Sequence, residues 1–274
     1  MTENSSNART VLITGAAKRI GRALAEHAAK AGYNVALHCN HSVQEAQELA
    51  QALRARHGVK TCVVQADLTD PQSTENLIDA AVLKIGAIHA LVNNASVFAR
   101  DEIDTADAAS RDLNMAVNLY APLTLIRRFA AALPANETGA IVNMLDARVL
   151  NLTPRFTTYT LSKAGLATLT KTAALALAPR IRVNGVALGD ALPAAHQSRE
   201  DFIRRTSSSP LGAPAALENI AAAVLFLLQA GQTTGTILPV DSGRSLEWSP
   251  EQKRFCAESE HTSFAHNPKN TAIF

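Results

Sequence analysis

Short apolar runs alternate along the chain with longer stretches of helical periodicity. The runs are almost continuously hydrophobic, which is typical of strands that are buried on both faces of a parallel sheet. The seven strand candidates are residues 10–14, 34–39, 60–66, 89–93, 140–145, 182–188 and 236–240. The Ala- and Leu-rich helical stretches between them are residues 22–31, 43–56, 72–85, 112–133, 160–178 and 215–229.

This alternation predicts an α/β fold, a single doubly wound Rossmann-type domain with a seven-stranded parallel sheet and helices on both faces. We expect a flexible N-terminus over residues 1–8 and one domain over 9–243, because no linker or repeat divides that range. Residues 244–274 are polar and aperiodic, which predicts a tail packed on the surface or on a neighbouring subunit. The polar, proline-bearing segment 189–214 lies between a strand and a helix and predicts a loop.

Composition narrows the class of protein. The chain has 274 residues, of which 47% are hydrophobic, and a formal net charge of +2. Without a basic block or a run of about 18 apolar residues, we expect neither nucleic-acid binding nor a membrane span. The N-terminus "MTENSSNART" lacks the apolar core of a signal peptide, and the widely spaced Cys39, Cys62 and Cys256 match no metal motif. These features predict a reduced, cytoplasmic protein without a metal site.

A glycine turn, "TGAAKRIG", follows the first strand and opens a helix. Free N–H groups at a helix N-terminus favour a pyrophosphate, and small residues let the backbone approach it. The position of the turn predicts a dinucleotide site with Gly15, Arg19 and Ile20 against the ligand, rather than an ordinary βα turn.

The residues after the second strand indicate which dinucleotide binds. An NAD site typically has an acid there, whereas "LHCNHS" (37–42) has none, which leaves room for a 2′-phosphate. Arg19 offers a forked cation that suits phosphate, unless it is a solvated arginine at a helix start. His41 and Ser42 can assist, and Ser42 can also cap the next helix. The pattern predicts NADPH rather than NADH.

Several motifs in one order carry a resemblance. They are "TGAAKRIG", "ADLTD" (66–70), "LVNNAS" (91–96), Asn118, Tyr159-x-x-x-Lys163 and "RIRVNGV" (180–186). Together they resemble the short-chain dehydrogenase/reductase family over about residues 9–243. Arg19 stands where the family commonly has Gly, and Asp146 where it usually has the catalytic Ser. "ALGDAL" (187–192) replaces a common Pro-Gly pair. The first two departures resemble the pteridine reductase branch.

The resemblance implies roles for further residues. Asp67 and Leu68 would contact the adenine, and Asn94 and Ala95 would lie under the adenosine ribose. Ser96 would bind the pterin or a cofactor phosphate, and Leu188 would border the cofactor amide.

Tyr159 and Lys163 are four residues apart and so share one helix face. On its own such a pair is more often an exposed helix pair, but within the ordered motifs it predicts catalysis. A nearby ammonium favours phenolate, so we expect Lys163 to lower the pKa of Tyr159. By resemblance, Lys163 would also bind the nicotinamide ribose, and Asn118 would connect it to a water-fed proton relay.

Asp146 and two aromatic residues narrow the substrate class. A carboxylate after a buried strand repels a simple carbonyl oxygen but suits a heterocycle with N–H groups; alternatively, it caps a loop or pairs with Arg148. Phe98 can stack on a flat ring, unless it is plain core. Phe156, three residues before Tyr159, can line the same pocket. Ser96 and Arg19 complete the predicted substrate contacts.

We therefore predict NADPH-dependent reduction of a pteridine, which is biopterin, a dihydropterin or dihydrofolate. The alternatives are a carbonyl or 3-oxoacyl reductase of the same family and a weakly active cofactor-binding regulator. The resemblance suggests a homotetramer built on the helices 112–133 and 160–178, with a C-terminus that can reach a neighbour's active site.

Overall fold

Among the residues that the structure describes, nine strands form two sheets, and seven of these strands match the predicted ones. In a computed structural model, which describes residues 8–193 and 197–246 and the backbone of 272–273, the strands are β1 (Thr10–Ile13), β2 (Asn34–Cys39), β3 (Thr61–Gln65), β4 (Ala90–Asn93), β5 (Val97–Phe98), β6 (Gly139–Asp146), β7 (Ile181–Leu188), β8 (Ile237–Val240) and β9 (Ala272–Ile273). The large sheet is parallel, with the order β3-β2-β1-β4-β6-β7-β8. The predicted doubly wound sheet is confirmed.

Helices cover both faces of this sheet. They are α1 (Arg19–Lys30), α2 (Val43–His57), α3 (Pro71–Ile85), α4 (Ala108–Met115), α5 (Ala121–Ala132), α6 (Thr157–Leu177), α7 (Arg199–Ser207) and α8 (Leu217–Gln229). One apolar core packs α1, α2 and α8 against the sheet, and a second packs α3, α5 and α6 against the other face. Alternate residues of β1 enter opposite cores: Val11 and Ile13 the first, Leu12 the second.

From β1 the strand order runs through β2 to β3 at one end of the sheet, and from β4 it runs through β6 and β7 to β8 at the other end. The topological switch point therefore lies between β1 and β4. The carboxyl ends of β1, β2, β4, β6 and β7 therefore meet at one edge of the sheet. Doubly wound folds bind their ligands at this edge. Of the predicted catalytic residues, Asp146 ends β6, and Asn118, Tyr159 and Lys163 lie on helical segments.

Two predicted segments differ from the structure. The helix expected over 112–133 is α4 and α5 joined by a π-helical turn, Ala116–Tyr120. The loop expected over 189–214 contains α7, so that part of the prediction is wrong. Oγ of Ser198 caps α7 by accepting from the N–H of Asp201 at 3.0 Å. This cap stabilises a helix in a segment whose polar composition suggested a loop.

The end of the chain pairs with β5. In antiparallel register, Ala272 lies opposite Phe98 and Ile273 opposite Val97. This backbone contact lies within one chain. Residues 244–246 form a 3₁₀ turn, and Arg244 donates to Oγ of Ser208 at 3.1 Å. The predictions for residues 247–271 and 1–7 fall outside the described residues. Within the described chain, no helix is both long and apolar enough to cross a bilayer.

Candidate active site

The turn after β1 has the shape that a bound pyrophosphate requires. Gly15 has a φ of 63°, in the left-handed region that favours glycine. Gly21 lies so close to it that a Cβ atom at Gly21 would be 2.0 Å from the carbonyl oxygen of Gly15. This close approach presents the free N–H groups of the α1 N-terminus to an anionic ligand. The residues present therefore fit the phosphates of a dinucleotide.

Thr14 and Asn94 fasten this turn to the end of β4. Oγ1 of Thr14 accepts from the N–H groups of Asn94 and Ala95, each at 2.9 Å. Nδ2 of Asn94 donates to the carbonyl oxygens of Thr14, at 2.8 Å, and Gly15, at 3.2 Å. Asn94 and Ala95, both predicted to face the cofactor, thus lie beside the turn, and the side chain of Asn94 holds its backbone.

His38 supports the turn from β2, although the motifs pointed instead to its neighbour His41. Nδ1 of His38 accepts from the N–H of Gly15 at 3.1 Å, and Nε2 lies 3.1 Å from the carbonyl oxygen of Ala66. These partners require the proton on Nε2. Burial lowers the pKa of His38 to about 4. A histidine inside an apolar strand was the signal in the sequence, because such a side chain needs partners within the fold.

Arg19 and the residues after β2 lie on different sides of the turn. Nη2 of Arg19 donates to the carbonyl oxygen of Pro193 at 2.9 Å, in the segment that follows β7. His41 and Ser42 follow β2, on the opposite side of β1; Ser42 precedes α2, but its side chain makes no capping hydrogen bond. The contact with Pro193 supports the predicted place of Arg19 on the substrate side. Its predicted role at a 2′-phosphate stays a prediction.

The remaining predicted cofactor residues also lie at or near this edge. Asp67 accepts from the N–H and hydroxyl of Thr69 at 2.9 and 2.8 Å, which uses one carboxylate oxygen locally. Leu188 ends β7 and lies in register with Asp146 at the end of β6. The others are Ile20 at the start of α1, Leu68 after β3 and Ser96 after β4.

Tyr159 and Lys163 lie on the buried face of α6, where Tyr159 is 6% exposed and Lys163 3%. Nζ of Lys163 is 5.8 Å from the centroid of the Tyr159 ring and donates to the carbonyl oxygen of Met144 at 2.9 Å. Burial lowers the pKa of Lys163 to about 8, while Asp146 acts in the opposite direction. The predicted pair is therefore together, and both side chains are buried.

Asp146 lies directly against Tyr159. The phenol Oη donates to Oδ2 of Asp146 at 3.1 Å. Burial, followed by the charge of Asp146, raises the pKa of Tyr159 well above its ordinary value. The expected lowering by Lys163 is therefore wrong for this structure, because the carboxylate and the absence of solvent both disfavour phenolate. Tyr159 is thus a protonated phenol whose hydroxyl donates to Asp146.

Asn118 organises the base of the site from the π-helical turn. Its Oδ1 accepts from Oγ of Ser96 at 2.9 Å and from the N–H of Val97 at 3.0 Å. Its Nδ2 donates to Oγ of Ser162, the residue that directly precedes Lys163 on α6, at 3.1 Å. The side chain of Asn118 is fully buried. The predicted catalytic residue thus ties the strand end at Ser96 to α6, and the π turn directs it there.

Phe98, Phe156 and Arg148 form a cluster above Asp146. The rings of Phe98 and Phe156 stack with centroids 4.3 Å apart, and the edge of Phe98 meets Tyr159 at 4.8 Å. Phe156 adopts a φ of 61° as it leads into α6. The guanidinium carbon of Arg148 lies 4.8 Å from the Phe156 centroid and 5.5 Å from that of Phe98. Phe98 and Phe156, both predicted to contact the substrate, thus lie together. Arg148 lies against them, although the sequence indicated it only as a possible partner of Asp146.

A hollow at the opposite edge of the sheet carries several arginines but no comparable chemistry. Arg180 donates to the carbonyl oxygens of Ala130 and Leu133, at the end of α5. Arg182 donates to those of Leu227 and Leu228, at the end of α8. Because these donors serve the ends of helices, the hollow is structural, and the site at the carboxyl edge remains the candidate.

The order of motifs and the site geometry agree with a comparison against known families. A family model described as "Enoyl-(Acyl carrier protein) reductase" matches residues 15–245. The chain belongs to the short-chain dehydrogenase/reductase family. Pteridine reductase 1 of Leishmania tarentolae is 35% identical to it over 88% of this chain and 98% of the relative.

Two further relatives of this reductase are named for different substrates. The structure of FolM alternative dihydrofolate reductase 1 from Brucella suis, in complex with NADP, has a TM-score of 0.86 and 41% identity, and the match covers 89% of this chain and 98% of that one. 3beta-hydroxysteroid dehydrogenase 1 of Eggerthella lenta is 32% identical over 87% of this chain and 94% of the relative. The chain is similar to pterin- and folate-reducing members and also to a member named for alcohol oxidation.

Proposed function

We propose that this reductase reduces a pteridine or dihydrofolate with NADPH. The observation that carries the proposal is the contact between Tyr159 and Asp146, whose oxygens lie 3.1 Å apart. A carboxylate beside the proton donor repels a simple carbonyl oxygen but accepts hydrogen bonds from the N–H groups of a nitrogen heterocycle. The likeness to pteridine reductase 1 and to FolM supports the same substrate class.

The cofactor proposal rests on the turn and on the residues after β2. Residues 9–243 form the proposed NADPH-binding reductase domain, with Gly15, Gly21 and the N-terminus of α1 facing the phosphates. The end of β2 carries no acid that would hold a 2′-hydroxyl and repel a 2′-phosphate, and the FolM relative was solved with NADP.

The proposed mechanism uses the nicotinamide only for the hydride, and the protein handles the proton. The raised pKa of Tyr159 keeps its phenol protonated in the resting site. Tyr159 would donate that proton to a ring nitrogen as the substrate accepts the hydride. Asp146 anchors substrate N–H groups or supplies a proton through a water. Lys163 would hold the ribose of the cofactor and stabilise the developing phenolate, and Asn118 would connect Lys163 to the relay that returns the proton.

A flat substrate ring matches the aromatic wall of the site. The rings of Phe98 and Phe156 stack with an interplanar angle of 15° and form this wall. A pterin would lie on Phe98, with Ser96 and Arg19 within reach of its polar edge.

Two alternatives make different predictions. A carbonyl or 3-oxoacyl reductase would act on ketones, and the steroid dehydrogenase relative favours that chemistry. A weakly active regulator would bind NADPH with little turnover, but the intact set of Tyr159, Lys163 and Asn118 argues against it.

The deciding experiment follows NADPH oxidation with dihydrobiopterin, dihydrofolate and an acetoacetyl thioester in parallel. We expect turnover of the pterin or folate; turnover of the thioester alone overturns the proposal, and binding without turnover supports the regulator. Asp146→Ser should reduce pterin turnover while NADPH affinity persists. Unchanged pterin turnover in that variant would make Asp146 structural.

We also propose a homotetramer. Large apolar side chains are exposed on the two helices that would form the interfaces: Tyr120, Leu123, Leu161 and Leu175. Light scattering during gel filtration tests this, and a monomer at micromolar concentration would contradict it.

A further inference from the structure

Arg148 lies where a substrate of the proposed kind would have to bind. Its side chain is 11% exposed, although a short 3₁₀ turn (Ala147–Val149) carries it at the rim of the site. Nη1 donates to Oδ1 of Asp146 at 3.1 Å and to Oδ2 at 3.0 Å. The same guanidinium packs against Phe98 and Phe156. Arg148 therefore uses both the carboxylate and the aromatic wall that the substrate needs.

The chemistry of the guanidinium resembles that of the substrate. A guanidinium is planar, carries only N–H donors and stacks on aromatic faces. A pterin is likewise planar, and it carries amino and ring N–H donors. Both groups satisfy a buried carboxylate, whereas a ketone offers only an acceptor and would leave Asp146 uncompensated.

The arginine is held incompletely in its present place. One nitrogen serves both oxygens of Asp146, so the two-nitrogen fork that makes arginine–carboxylate pairs strong is absent. Nε of Arg148 is buried, and nothing in the described part of the chain accepts from it. A buried donor without an acceptor disfavours this arrangement. The ion pair between Arg148 and Asp146 therefore forms without a substrate, but a ligand with better-placed donors can replace it.

Leaving the site requires little movement of the main chain. The N–H of Arg148 donates to Oδ1 of Asp146 at 2.9 Å, independently of the side chain. That bond keeps the carboxylate oriented when the guanidinium swings out. Tyr159 remains bonded to Oδ2 from the other side.

We propose that Arg148 is a specificity-determining residue that occupies the substrate site, and that a flat nitrogen heterocycle binds by replacing its guanidinium on Asp146. Heterocycles with N–H donors compensate the carboxylate that Arg148 leaves, and ketones do not. The part that concerns pterins rests on the proposed function; the occupation of the site by Arg148 does not.

The first test measures the dissociation constant of biopterin and of dihydrofolate for the NADP⁺-loaded protein. Arg148→Met keeps the length and apolar contacts of the side chain but removes its donors. We expect both dissociation constants to fall about tenfold, since the competing contact is gone. KM should fall with them, whereas kcat should not rise. Arg111→Met, at an exposed arginine on α4, is the matched control and should change neither constant.

Other results of this test overturn the proposal. If both dissociation constants are unchanged, Arg148 does not compete with the substrate. If both rise, Arg148 helps to bind the substrate. A constant raised for dihydrofolate alone assigns Arg148 to the glutamate carboxylates of that substrate.

The second test needs neither pterin nor turnover. In Arg148→Ala without cofactor, millimolar guanidinium chloride should raise the melting temperature saturably, because the free ion refills the vacated contacts. Neither wild type nor sodium chloride should show this effect, and its absence from the variant overturns the occupation by Arg148. If wild type binds and reduces no pterin while guanidinium still stabilises the variant, the proposed function fails and the occupied site stands.

Discussion

The glycine turn and the site around Asp146 lie at one edge of the sheet but differ in how completely their polar groups are satisfied. In the turn, Thr14, His38 and Asn94 bond the backbone with both partners in place. Around Asp146, a side chain of the protein covers the carboxylate and leaves its own Nε unbonded within the described residues. The turn is thus prebuilt, whereas the proposed replacement of Arg148 by the substrate requires the site around Asp146 to rearrange. We therefore expect changes in the turn to weaken NADPH binding and stability, and changes around Asp146 to alter substrate binding and turnover.

Filling the prebuilt half should have the largest effect. In Gly21→Ala, the new Cβ would lie 2.0 Å from the carbonyl oxygen of Gly15 and 2.8 Å from Nδ2 of Asn94, so backbone has to move. We expect unfolding to become easier by about 3 kcal/mol and NADPH binding to be lost. Thermal melts with and without NADPH measure both. Gly231→Ala, with no atom within 4 Å of its Cβ, should behave as wild type. NADPH affinity that survives in Gly21→Ala would show that the turn adapts.

Removing the proton donor should spare the prebuilt half. Tyr159→Phe deletes the hydroxyl that donates to Asp146, so kcat should fall about 10²- to 10⁴-fold with NADPH affinity retained. Stopped-flow turnover and NADPH fluorescence separate the two quantities. Tyr33→Phe, at a tyrosine that lines the hollow at the opposite edge of the sheet, is the control. Substantial residual turnover in Tyr159→Phe would transfer the donor role to Asp146 and its water.

Acid should act on the prebuilt half through His38. Its folded pKa, about 4, lies below the ordinary 6.5, so the unfolded chain takes up the proton first as pH falls. Stability is therefore unaffected by His38 above pH 6.5 and decreases between 6.5 and about 4, by about 3 kcal/mol in all. Urea unfolding across this window should show a shallower loss in His38→Gln than in wild type. His57→Gln, at an exposed position on α2, should keep the wild-type slope. Equal slopes in all three proteins would remove His38 as a source of acid sensitivity.

The same contrast explains what the sequence could predict. The sheet and the turn were predictable because their signals are local: apolar runs such as 34–39 and a glycine turn between strand and helix. Tyr159, Lys163 and Asn118 were found through an ordered motif set, and the structure brings them together around Ser96 and Asp146.

The features that were missed depend on partners distant in the chain. His38 is a support only because Gly15 and Ala66 lie on either side of its ring. The raised pKa of Tyr159 depends on its burial and on Asp146, thirteen positions earlier in the chain. The spacing of Tyr159 and Lys163 indicated that Lys163 would set the pKa of the phenol. In the structure the carboxylate of Asp146 is hydrogen-bonded to that phenol and has the larger effect.

The smallest expected effect concerns Arg19, which lies between the two halves. Its contact with Pro193 faces the substrate side, while its position in the turn suits a cofactor phosphate. If Arg19 binds the 2′-phosphate, Arg19→Ala raises the dissociation constant of NADPH about tenfold, the loss of one charge-assisted hydrogen bond, and leaves that of NADH nearly unchanged. We expect this result because no acid after β2 competes for the cation. Arg22→Ala, at an arginine paired with Glu26 on the same helix, should affect neither. Equal effects on NADPH and NADH, together with weaker pterin binding, would assign Arg19 to the half that rearranges.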